Sequence, residues 1–240
     1  MRSVQTVLET YAEGVPAEDL ARGFLDFDRW TGDDPRLLVA EAAASTTGQS
    51  FVGGIEPAVS RFRAAFVESG RVDSLSDLAA LDLEDDALVE AFGAQRKRHV
   101  LLEVASVLAD RPEGDDVASL RGWAAEADHY RYDEDPIGEI TGVGPGSFQY
   151  LRQLAGVDTV RPDPTVVEFV EAVAADLADR LPDEPVPIDA STSRRTIASC
   201  EWLSLVTDFR PLELDRIAWW THTDPEDRDA AIATQQPQLL

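Results

Sequence analysis

Apolar residues recur at helical spacing along almost the whole chain, and that period sets the fold class. Ile55, Val59, Phe62 and Phe66 fall at i, i+4, i+7 and i+11, one face of a helix. Leu101, Val104, Ala105 and Leu108 repeat the pattern, as do Val166, Phe169, Val170, Val173 and Leu177. No stretch of strand length alternates apolar and polar residues convincingly, so an all-α protein of short helices is predicted. Breaks fall at Gly32-Asp33-Asp34-Pro35, Gly53-Gly54, Gly70, Gly93, Arg111-Pro112-Glu113-Gly114 and the loop Pro182–Pro187. Ser74, followed by Asp77, reads as a helix N-cap with an acidic first turn. Residues 221–240 lose apolar periodicity and are expected to form a disordered tail.

The chain has 240 residues, 44% of them hydrophobic, which is enough to bury a core. Cys200 is the only cysteine, so an internal disulfide, a CxxC zinc site and a four-cysteine iron–sulfur cluster are excluded. His129 and His222 have no second His or Cys at ligand spacing, and neither a metal nor a cofactor is expected. No run approaches the ~18 apolar residues of a membrane span, and MRSVQTVLETYAEG lacks the apolar region of a signal peptide. A soluble cytoplasmic protein without a membrane partner is expected. The formal net charge is −25, and Lys97 is the only lysine. The acid is spread along the chain instead of sitting in one tail. That distribution favours adaptation to molar salt over a single basic partner. At ~1 M salt the Debye length is ~3 Å, so the charge does not forbid contact with phosphate.

Ile137–Val170 carries the most information. Ile137–Ile140 is expected to close a short helix, and Ser147 to begin another that turns Phe148, Leu151 and Leu154 inward. Between them, Thr141-Gly142-Val143-Gly144-Pro145-Gly146 is a tight turn that calls for positive φ or close backbone approach. A glycine-rich turn feeding a helix N-terminus aims unpaired N–H groups at one point, which suits a phosphate. Thr141, Gly142, Val143, Gly144, Gly146 and Ser147 are the candidate phosphate-binding residues. The same turn also serves as a plain helix–helix connection in many proteins, and Asp163 in Pro-Asp-Pro also reads as a helix N-cap.

Gly142-Val143-Gly144 followed at a distance by Pro162-Asp163 resembles the helix-hairpin-helix DNA glycosylase superfamily that includes endonuclease III. Upstream, Pro35–Ala40, Leu75–Ala79, Leu83–Gly93 and Gln95-Arg96-Lys97 resemble its helices in order, with Lys97 at a family lysine position; Cys200–Trp220 matches its last helices. The resemblance implies two helical lobes with a cleft between them. One lobe would span 33–156. The other would combine 1–32 with 157–220. It also implies double-stranded DNA as partner and Asp163 as the catalytic carboxylate. Thr46, Gln49 and Lys97 would be further DNA contacts. Tyr130, Tyr132, Trp123 and Trp202 are candidates for stacking on a base.

The chain also departs from the family. Gly146 stands where bifunctional members carry the Schiff-base lysine, so lyase chemistry through that group is excluded. Thr46 holds the place of the duplex-wedging glutamine, and Glu168 a place often held by arginine. What remains is monofunctional base excision, in which Asp163 stabilises an oxocarbenium-like sugar or activates water. The alternative is a non-catalytic member of the fold that binds DNA or serves as a protein-interaction scaffold.

Overall fold

A computed structural model of the chain describes residues 2–181 and 185–235. Every regular element among them is helical. The chain runs through α1 (Arg2–Ala12), α2 (Ala17–Leu25), α3 (Pro35–Ser45), α4 (Glu56–Phe62), α5 (Leu75–Ala79), α6 (Asp86–Phe92) and α7 (Gln95–Ala109). It continues through α8 (Asp116–Glu126), α9 (Pro145–Leu154), α10 (Pro164–Arg180), α11 (Ser193–Val206), α12 (Pro211–His222) and α13 (Pro225–Gln235). Five-residue π-helical turns, Phe51–Ile55 and Arg63–Val67, flank α4, and a 3₁₀ segment covers His129–Glu134.

The periodic faces read from the sequence are the buried ones. Val59, Phe62 and Phe66, Leu101 and Leu108, and Phe169, Val170, Val173 and Leu177 all lie fully inside. Each such side chain contributes about 1.5–3 kcal/mol of burial. Aspartates start several helices: Asp34, Asp85, Asp115 and Asp163 each accept backbone N–H groups of the helix they precede. Part of the chain's acidity is therefore structural, satisfying orphan donors at helix starts. Ser74 Oγ accepts from Asp77 N at 3.1 Å, the cap expected there.

The core forms two hydrophobic clusters. The first takes Ala21 and Phe24 from α2, most of α3, the inner faces of α4 to α9, and Leu212. Alanines at 40 and 42–44 keep α3 thin, so it packs centrally against α4, α7 and α9. The second takes Val4, Val7 and Leu8 of α1, Ala17, Val160, and the inner faces of α10, α11 and α12. Helices α2 and α12 contribute to both clusters.

Two local expectations are corrected. Residues 221–240 are not a bare tail, because α13 occupies Pro225–Gln235; residues 236–240 lie outside the described residues. Helix α13 packs on the Phe51–Ile55 turn and on α2, and Asp227 Oδ1 accepts the Val52 N–H at 2.8 Å. Ile137–Ile140 forms hydrogen-bonded turns and not a helix, with Ile140 N to Ile137 O at 3.3 Å. Of the loop expected at Pro182–Pro187, residues 182–184 lie outside the described residues, and 185–190 form no regular element.

Candidate functional site

Asp163 is the N-cap of α10. Its Oδ1 accepts from Thr165 N at 3.1 Å, Thr165 Oγ1 at 2.7 Å and Val166 N at 3.2 Å. Its Oδ2 makes no hydrogen bond among the described residues and is ion-paired with Arg161 Nε at 3.6 Å. The cap holds the carboxylate in one orientation, with one oxygen committed to the helix and the other turned away from it.

The chain leading to Asp163 is pinned from both sides. Gln149 and Gln153, four residues apart on α9, are buried. Gln149 Nε2 donates to Thr159 Oγ1 at 2.7 Å and to Val160 O at 3.2 Å, and Gln153 Nε2 donates to Thr159 O at 2.8 Å. From α12, buried Asp215 accepts the Arg161 backbone N–H at 2.6 Å. Three backbone groups of this irregular segment, Thr159 O, Val160 O and Arg161 N, are thus answered by side chains of neighbouring helices, which fixes it in place. Polar residues at i and i+4 on an otherwise buried helix were the sequence signal for this brace.

Asp163 lines a cavity of about 450 Å³ beside the first core cluster, which supplies Phe24, Ile55 and Tyr150 to its wall. Its walls include Phe24, Phe51, Tyr150 and Trp219 as aromatic faces and Arg29, Arg161 and Arg216 as cations. Beneath the floor, Glu41 is fully buried. It takes a two-point contact from Arg29, a hydrogen bond from Tyr150 Oη at 2.6 Å and one from Thr31 Oγ1 at 3.3 Å. Burial raises the Tyr150 pKa and the Glu41 charge raises it further, so the phenol stays protonated. Asp224, Asp227 and Ala231 bring the start of α13 to the cavity wall.

None of Thr141–Ser147 lines this cavity, and the turn ahead of α9 approaches it at Gly146. A side chain at Gly146 would point toward Arg161 Nε, 3.9 Å from its Cβ. Gly142, at φ +107°, is the one hairpin glycine in the left-handed region, and Arg96 braces it by donating to its carbonyl at 2.9 Å. Gly144 is extended, at φ −121° and ψ 178°, so neither a positive φ nor a close approach explains that glycine. Thr141, Gly142, Val143 and Gly144 also line a separate hollow of about 500 Å³ with Leu83, Gln95, Arg96 and His99.

No protein-family model, curated protein or solved structure matches this chain. The residues themselves therefore carry what can be said of the site.

Of the expected DNA contacts, Gln49 is exposed and lines the cavity, whereas Thr46 ends α3 and donates its hydroxyl to Ala43 O at 2.8 Å. Lys97 is only 3% exposed and is not available to touch a partner directly. Its Nζ donates to Gln49 Oε1 at 2.6 Å. Burial, helped by the charge of Arg61, lowers the lysine's pKa. A side chain at Gly54 would collide with Gln49, so lysine and glycine together set where that glutamine stands.

The stacking candidates are corrected. Trp123 is buried, with its Nε1 on Asp135 at 3.1 Å and its ring edge-on to Phe148. Tyr132 packs on Phe148, Tyr130 Oη donates to Glu201 at 2.6 Å, and Trp202 packs on the second cluster. None of the four lines the cavity holding Asp163; Phe24, Phe51, Tyr150 and Trp219 do. Among the described residues no group of three or more His, Cys, Asp or Glu is placed to hold a metal ion, and no helix is long and apolar enough to cross a membrane.

Proposed function

We propose that this protein binds double-stranded DNA and excises a base as a monofunctional glycosylase, working in the cytoplasm at high salt. The observation that carries the reading is Asp163, which lines an aromatic-walled cavity and whose Oδ2, outside the helix cap, faces only Arg161 Nε at 3.6 Å. The turn would hold a backbone phosphate through N–H groups at the start of α9, which have no partner inside their own helix. A nucleotide flipped from the stack would enter the cavity between Phe24, Tyr150 and Trp219. Gln49, held by Lys97 at the rim, would face the duplex. Asp163 Oδ2 would then stabilise the sugar as positive charge develops at C1′, or take a proton from the attacking water. Its Oδ1, locked by the helix cap, keeps that oxygen from swinging away.

A second reading is a non-catalytic DNA-binding or protein-interaction scaffold. Two observations favour it: Asp163 already serves fully as a helix cap, and Asp227 and Trp219 occupy part of the cavity wall. An excision assay in molar KCl separates the two. Duplexes carrying uracil, thymine mismatches, oxidised and alkylated bases are incubated with the wild type and with Asp163→Asn. Base release that disappears in the variant is the expected result. No release from any duplex by the folded wild type leaves the scaffold reading in possession.

A further inference from the structure

Three arginines meeting in one cavity stand out in a chain of net charge −25. Two are already committed. Arg29 gives both terminal nitrogens to Glu41, and Arg216 gives Nε and one terminal nitrogen to Asp215. Arg161 is different. Its Nε is buried without a hydrogen-bond partner, and its guanidinium makes no hydrogen bond among the described residues. Its charge is answered by Asp163 Oδ2 at 3.6 Å, beyond hydrogen-bond reach, so the buried Nε–H still lacks an acceptor; an unmet buried donor is costly, which marks Arg161 as a group set for an acceptor that arrives from outside.

The other walls say what kind of ring brings that acceptor. Arg161 lies 4.7 Å from the centre of the Tyr150 ring. Arg29 and Arg216 lie 4.1 and 4.8 Å from the centre of Phe24, and Arg216 lies 5.6 Å from that of Trp219. Aromatic faces attract cations, but all three of these rings already carry a guanidinium. A positively charged ring would meet like charge at each of them. A phosphate or carboxylate would face Asp163, Asp224 and Asp227 in the same cavity. The volume of about 450 Å³ lies within the ~300–1,000 Å³ usual for small-ligand sites.

We propose that the cavity takes an uncharged planar ring bearing carbonyl oxygens, that Arg161 is the residue that reads one of those oxygens, and that positively charged alkylated rings are rejected. This rests on the reading of the cavity as a base pocket and adds the class of base. Hydrogen bonds to neutral carbonyls also survive molar salt better than charge–charge attraction at a distance.

The test uses the whole chain in molar KCl and ligand-observed saturation-transfer NMR. Uridine and inosine supply neutral carbonyl rings; 1-methyladenosine and 3-methylcytidine supply positively charged ones. Uridine and inosine are expected to bind and the two cationic nucleosides to give no signal. Arg161→Met, which keeps the stem and removes the donors, is expected to weaken the neutral rings by about tenfold or more with an unchanged melt. The inference is overturned if the cationic rings bind as well as the neutral ones, if no ring binds, or if folded Arg161→Met binds like the wild type. Should that variant fail to fold, the comparison of rings on the wild type still decides. Ring binding without base excision overturns only the enzymatic reading, and excision of cationic bases overturns only this inference.

Discussion

Glu41 is the residue on which the cavity floor depends. It sits in the apolar run Leu37–Ser45, where an acid is an anomaly visible in the sequence, but its partners are not visible there. Burial alone would lower the Arg29 pKa; attraction to Glu41 outweighs it and the pKa is raised. Removing one member of a buried pair leaves the other charge uncompensated, at a cost of about 3–5 kcal/mol. Glu41→Gln is therefore expected to destabilise the fold by about 3 kcal/mol in denaturant titrations at molar KCl. Replacing both partners, Arg29→Met with Glu41→Leu, is expected to recover most of that loss. A Glu41→Gln variant within about 1 kcal/mol of wild type would show that the ion pair does not hold the floor. Asp163 shows the opposite balance of legibility: its capping role followed from Pro-Asp-Pro alone, whereas the pairing of its second oxygen with Arg161 and the open space beside it needed the surrounding helices. Lys97 was legible as a site residue only in part. The sequence placed it on a basic helix start, and burial turned it into a support for Gln49.

At the scale of elements, α9 and its turn divide into what sequence can and cannot show. Phe148, Leu151 and Leu154 gave the inward face of α9, because helical period is a local property. The helix expected before the turn failed: Pro136 and Gly138 leave too short a run, and Asp135 ties Ile137 N and Trp123 Nε1 into a turn instead. Helix α13 was missed for a related reason. Its own apolar face is weak, and its anchor is the Val52 N–H, far away in the chain. The turn before α9 carries its own prediction. Gly144 has extended φ and open space where a Cβ would stand, so a side chain fits there. A carboxylate at a helix start is also compatible with folding. Gly144→Glu is thus expected to keep the wild-type melt while weakening duplex binding by about tenfold or more, through repulsion of phosphate. Unchanged affinity in a binding titration would show that this turn holds no phosphate.

For the whole molecule, a net charge of −25 predicts that folding depends on salt. The ion pairs range from the buried Arg29–Glu41 contact to exposed ones such as Arg22–Glu18, at 2.7 Å, and Arg194–Asp133, at 2.6 Å. Exposed pairs of this kind contribute only about 0–1 kcal/mol each. They cannot offset the repulsion among the carboxylates that remain in a chain of net charge −25. Aspartate caps lower the cost for a few of them, since a carboxylate at a helix start is stabilised by N–H groups and the helix dipole. The rest need counterions. At ~0.1 M salt the Debye length is ~10 Å, long enough for neighbouring surface carboxylates to repel; at ~1 M it falls to ~3 Å and the repulsion is confined to direct contacts. Compaction brings these charges together, whereas unfolding spreads them, so low salt favours the unfolded chain. Cooperative folding is expected to require molar KCl, with the thermal midpoint rising steeply between ~0.1 and ~2 M salt as the Debye length shortens and the repulsion loses its reach. Thermal melts followed by circular dichroism across that range are the check. A midpoint that stays constant would mean that the acidic surface is tolerated without screening, and that the carboxylates have a role other than solubility in concentrated salt.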